Sequence, residues 1–177
     1  MGVYSIRTFG DPVLRLRARE VADIDGDLVR VVDAMIDTMY DAVGGGLAAP
    51  QVGIARRFFT YVGDDDEPDV LINPEIVEAT GEFTYEEGCL SFPDVRFEIV
   101  RPKLVTVRGL DLDGDEVVFE AGDDYFGRML QHEIDHLDGV LAIDRLDPEA
   151  RKAVLREYRR REMLVAIPGG TDGAARH

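Results

Sequence analysis

At 177 residues, 45% of them hydrophobic, the chain is long enough to bury one sizeable core and too short for several. A net charge of −16 argues against a broad nucleic-acid-binding face, and no apolar run approaches the roughly 20 residues that a membrane span needs. The single cysteine, Cys89, excludes an internal disulfide and fits a reducing, cytoplasmic setting in which a thiol is free to ligate or attack.

The opening stretch, MGVYSIRTFGDPVLR, has neither an apolar core nor an acid-free Arg/Ser-rich arm, so no export or organelle signal is expected. Met1-Gly2 begins like a myristoylation signal, but Ile6 stands where Ser or Thr is wanted. Residues 27–43 set Leu28, Val32, Met35, Ile36, Met39 and Val43 on one stripe. That spacing predicts an amphipathic helix, ended by the glycines at 44–46. Segments 47–54 and 56–63 read as extended, with an acidic loop over 63–69. From 70 to 121 the pattern is β-like, and Asp113-Gly114 marks a hairpin turn. Helical character returns at about 123, with Asp123 or Asp124 as N-cap for 124–138 and Gly139 just past its end. Asp147-Pro148 opens a last helix over 148–164, and 165–177 reads as a disordered tail. The fold class predicted is α+β, one domain over 1–164. Short antiparallel sheets would pack around a central helix carrying His132 and His136, with an N-terminal and a C-terminal helix beside them.

Residues 131–142, QHEIDHLDGVLA, carry the clearest chemical signal. Positions i and i+4 share a helix face, so His132 and His136 can grip one ion with Glu133 beside it. A catalytic site of this kind needs a third protein ligand and an open position for water. The run begins like the metzincin protease signature, but Ala142 occupies the place of that signature's third histidine. His177 is the last residue of the tail, and Glu149, Glu157 and Glu162 lie on a basic, amphipathic helix that reads as a solvated face. Cys89, in the turn-like stretch EEGCLSFPD, remains. Two imidazoles and a thiolate suit Zn(II), Fe(II), Ni(II) or Co(II).

Three motifs, in order, resemble those of the peptide deformylase family. They are Gly44 to Gln51 (GGGLAAPQ, for G-x-G-x-A-A-x-Q), Glu87 to Ser91 (EGCLS), and Gln131 to Gly139 (QHEIDHLDG). The stretch FGDPVLR at 9–15 is also family-like, and the match reaches to about residue 146. The resemblance implies an enzyme that hydrolyses the N-formyl group from the initiator methionine of new bacterial proteins, releasing formate. It implies one divalent metal ion on Cys89, His132 and His136, with Fe(II) the metal in cells and Zn(II), Ni(II) or Co(II) as substitutes. Glu133 would carry the proton; the Gln51 side chain and the Leu90 N–H would bind the oxyanion. Gly45, Gly46 and Arg96 would line the substrate main chain. Met129, on the His132 side of its helix, is a candidate wall for the methionine pocket or a core residue. Arg128 departs from the apolar residue expected near that pocket, and Gly45 stands where larger residues are often found.

The segment 147–163 holds six basic residues against four acids, and resembles the ribosome-docking helix of some family members. It also reads simply as a solvated helix covering the core with Val154, Leu155, Tyr158 and Leu164. Two rival functions are an HExxH zinc peptidase, which Ala142 opposes, and a lapsed binding module, in which Glu133, Gln51 or Cys89 would be expected to have drifted.

Overall fold

The computed structural model describes residues 2–63 and 65–165; the tail reading, from 166 on, lies outside the described residues. Helix α1 spans Gly26–Asp41 and starts where Asp25 accepts a hydrogen bond from the Leu28 N–H at 2.9 Å. Leu28, Val32, Met35 and Met39 are buried as the stripe predicts. Val43 is not part of it. It is 92% exposed at φ 55°, because the chain leaves the helix at Ala42 and turns left-handed before the glycines. Ala34 and Thr38 complete the buried face, and the Thr38 hydroxyl donates to the Ala34 carbonyl at 2.7 Å.

Seven strands follow: β1 (Gly46–Ala48), β2 (Phe58–Val62), β3 (Pro68–Thr80), β4 (Phe83–Cys89), β5 (Phe92–Arg101), β6 (Leu104–Leu110) and β7 (Glu116–Ala121). Five pair antiparallel in the order β1-β2-β3-β6-β7, while β4 and β5 form a separate two-stranded hairpin. The extended reading of 47–54 holds only to Ala48. Ala49–Val52 is one 3₁₀ turn, because Pro50 fixes its φ and the Gln51 carboxamide oxygen accepts from the Ala48 N–H at 2.8 Å. Two further 3₁₀ turns, Pro12–Arg15 and Ala142–Arg145, have no periodicity to betray them. The β6–β7 turn is the expected one: Gly114 sits at φ 82°, and the Asp111 carboxylate accepts from Asp113 and Asp115 N–H groups.

Helix α2 (Tyr125–Leu137) is capped by Asp124, which accepts from Gly127 N–H at 2.7 Å, and it closes at Gly139, φ 73°. Asp147 caps α3 (Pro148–Val165), accepting from the Glu149 and Ala150 N–H groups at 3.0 Å. The period of two in β2 and β3 decides which helix each side chain meets. Phe58 and Ile72 join the cluster of α1, and Phe59 and Leu71 the cluster of α2. A third cluster, with Phe92, Phe97, Ile99, Ile143 and Tyr158, lies between the hairpin and α3. The architecture is α+β, with antiparallel sheets and three helices. No helix among the described residues is long and apolar enough to cross a membrane.

Candidate active site

Helix α2 presents His132 and His136 one turn apart, with ring centroids 5.0 Å from each other. The third group comes from the hairpin. A register shift between Gly88 and Cys89 breaks the β4–β5 ladder at its end and re-aims Cys89 toward α2. Its Sγ lies 3.2 Å from the Nε2 of His136, and one ligand atom from each of Cys89, His132 and His136 lies within 4.8 Å of the others. Tetrahedral ligands at about 2.0–2.3 Å from an ion are separated by about 3.5 Å, so the set needs little movement to close on one. Among the described residues no other group of three His, Cys, Asp or Glu side chains is so placed.

The donor chemistry fits a divalent ion. Glu87 Oε2 sits 3.0 Å from His132 Nδ1, which fixes the ring's orientation and leaves Nε2 to face the site. Burial alone would raise the Cys89 thiol; the imidazoles of His136 and His132 beside it pull it well below its ordinary range. Burial would lower His132, but the Cys89 thiolate and Glu87 hold it well above. The Nδ1 of His136 is buried with no hydrogen-bond partner.

Behind the ligands runs a chain of buried charges. Arg101, wholly buried, clasps both oxygens of Glu87 at 2.6 and 2.9 Å and reaches Asp135 at 2.7 Å. Asp135 is in turn gripped by Arg145, and Arg128 adds a second cation to Glu87 at 2.7 Å. Burial pushes Glu87 up, but its hydrogen bonds with His132 and Arg101 outweigh that and hold it well below the usual carboxylate range. Glu87 therefore stays ionised beside His132.

Glu133 is also buried, and its Oε2 has no partner; burial drives its carboxyl up, against the pull of His132 and His136. Gln51 is 1% exposed. Its carbonyl oxygen is taken by Ala48, so its Nε2 faces the site, 3.3 Å from Ser91 Oγ and 3.9 Å from Cys89 Sγ. Side chains of α2 crowd Gly45 and Gly46. A Cβ on Gly46 would stand 2.7 Å from Glu133 Oε1 and 3.0 Å from Met129 Cγ, and one on Gly45 would meet the Tyr125 hydroxyl at 2.3 Å.

A cavity of about 810 Å³ joins these groups; Gly45, Gly46, Gln51, Cys89, Leu90, Arg96, Met129, His132 and Glu133 all line it, and His136 lies buried beneath. Met129 serves as both wall and core. Arg96 is exposed at the rim, 3.8 Å from Glu86. Glu87, Arg101, Asp135 and Tyr125 were not singled out as site residues. For Arg101 a signal exists: it continues the alternation of Val95, Phe97 and Ile99, at an inward position of β5.

The chain's similarities agree with this geometry. The profile of the family described as Polypeptide deformylase matches residues 3–152. A peptide deformylase of Thermotoga neapolitana is 52% identical over 157 residues, 88% of this chain and 93% of the relative. One from Parafrankia sp. is 49% identical over 163 residues, 92% of this chain and 88% of the relative. A crystal structure of a peptide deformylase from Legionella pneumophila, 39% identical, superposes with a TM-score of 0.86 over 94% of this chain and 100% of that one. Fold, site and similarity converge: this chain belongs to the polypeptide deformylase family.

Proposed function

We propose that Cys89, His132 and His136 hold one divalent ion, and that Glu133 moves the proton in the reaction of the family, removal of the N-formyl group from new proteins beginning with methionine. The observation that carries this reading is the convergence of three ligand atoms within 4.8 Å beside a buried glutamate with an unpartnered oxygen. The ion, when bound, supplies Lewis acidity and a water acidified toward neutral pH. Glu133 takes the proton of the attacking water and delivers it to the leaving amine nitrogen. The Gln51 amide and the Leu90 N–H stabilise the oxyanion; one such donor is worth about 3 kcal/mol of barrier. Gly45, Gly46 and Arg96 hold the peptide main chain, and Met129 walls the methionine pocket. Fe(II) is the metal assigned in cells, the cytoplasm the compartment, residues 1–164 the catalytic domain, and α2 the central helix about which the sheets pack.

Formate release from formyl-Met-Ala-Ser tests the reading. Protein purified without oxygen should release formate, lose that activity to a chelator, and regain it with Co(II) or Ni(II). Cleavage of internal peptide bonds with no formate would replace this reading with the zinc peptidase.

A second element concerns α3. Its Tyr158 is buried, while Lys152, Arg156 and Arg159 have no ion-pair partner among the described residues, unlike Arg160 and Arg161, which share Glu157. These three cations line a shallow groove with Leu155 and Met163, a surface suited to ribosomal RNA phosphates. Reversing Lys152, Arg156 and Arg159 to Glu should lower cosedimentation with ribosomes at least tenfold and flatten its salt dependence. Unchanged cosedimentation would remove ribosome docking through α3.

A further inference from the structure

We propose that Arg128 is a positioning residue for the metal site, fastening the hairpin that carries Cys89 to the helix that carries His132 and His136. The proposal rests on the metal-site reading above. The β4–β5 hairpin pairs with no strand of the five-stranded sheet, and an isolated two-stranded hairpin is marginal in water. Contacts outside any strand ladder, side chains chief among them, therefore set the distance from Cys89 to the two histidines.

Arg128 lies one helical turn before His132, and its side chain is 4% exposed. Phe83, Tyr85 and Glu87 alternate along β4 and share the face turned to α2, and the guanidinium engages all three. Nη1 donates to the Phe83 carbonyl at 2.8 Å; Nη2 meets Glu87 Oε1 at 2.7 Å and the Tyr85 carbonyl at 3.4 Å. Nη2 also donates at 2.7 Å to the carbonyl of Ile99, which stands opposite Tyr85 on β5, so one fork holds both strands. The Phe83 and Tyr85 rings stack on each other, and the guanidinium carbon lies 5.5 and 5.8 Å from their centroids. Arg101 makes the mirror-image link, from the hairpin to Asp135 on α2, and the two arginines meet on Glu87. Arg128 thus acts on the ligands through Glu87 and through the hairpin backbone.

This assignment makes a substitution at 128 visible in metal retention. Arg128→Met keeps an unbranched apolar stem, removes the guanidinium and leaves Glu87 its bonds to Arg101 and His132. Arg128→Lys keeps the charge, but a point-like ammonium cannot span carbonyls on two strands. Cobalt-loaded proteins would be challenged with excess chelator while the thiolate-to-cobalt band is followed, and the melting temperature of each metal-free protein recorded. Arg128→Met should release cobalt about 10–100-fold faster than the parent, the usual range for residues that orient ligands, with a weakened thiolate band. Arg128→Lys should fall in the same range. Release within twofold of the parent in both variants, with only the metal-free melting temperature lowered, would make Arg128 merely structural and overturn the proposal. A wild-type rate in Arg128→Lys alone would overturn the two-strand clamp. A parent that binds no cobalt would instead sink the metal site itself, a separate failure.

Discussion

Cys89→Ala should lose bound metal and formate release together while the chain keeps its fold. Two imidazoles remain in that variant, and two ligands do not make a catalytic site. No other group of three His, Cys, Asp or Glu side chains among the described residues is placed to hold the ion in its stead. Activity should fall more than about 10³-fold, since the ion's main contribution is to bring water from a pKa of about 15.7 toward about 7. The fold should survive: Cys89 ends β4 beside a bulge, partly exposed, and only packs against the third apolar cluster from outside. Metal analysis and a formate assay on one preparation decide the matter. Full metal in Cys89→Ala would exclude the cysteine as a ligand and reopen the search for a third group.

Glu133→Gln should retain the metal and lose about 10²–10⁴-fold in kcat, the usual worth of a positioned proton carrier. The amide keeps the shape of the buried side chain but accepts no proton. A companion substitution reaches the same group from outside. In Gly46→Ala the new methyl would stand 2.7 Å from Glu133 Oε1, so the carboxylate must move. A misplacement of about 1 Å at a reacting group costs about 10²-fold, so this smaller shift should cost up to that much, and the loss should fall on kcat with metal content unchanged. If Gly46→Ala raises KM and spares kcat, the glycine serves the approach of the peptide backbone and not the placement of Glu133.

The cluster of Cys89, His132 and His136 was legible because helical spacing puts the two histidines on one face and the chain holds a single cysteine. The cap at Asp147 was legible too, as was Asp124 as one of two candidates, since an aspartate before an amphipathic run has few other uses; the cap at Asp25 was not read from the sequence. The 3₁₀ turn at Ala49–Val52 was hidden within an apolar run that reads equally well as a strand. Val43 was misplaced because periodicity carries no mark of a left-handed exit. The buried arginines were least visible. Charged residues are presumed to seek water, and what reverses that for Arg101 and Arg128 is Glu87, remote in sequence and brought close only by the hairpin.

The hairpin that stands apart from the main sheet has a consequence for how ion affinity and rigidity are related. Its boundary with α2 is a seam, crossed by charged side chains and, when the ion is bound, by the ligands themselves. Whatever free energy the closed seam adds to ion binding, the bound ion returns to closure by thermodynamic reciprocity. For an open seam with no affinity for the ion, that return at a free ion concentration of 100 times Kd is about 2.7 kcal/mol, a sizeable part of the stability of an ordinary domain. Tight retention of the ion and stiffness of the hairpin are then one quantity, and neither can be tuned without changing the other.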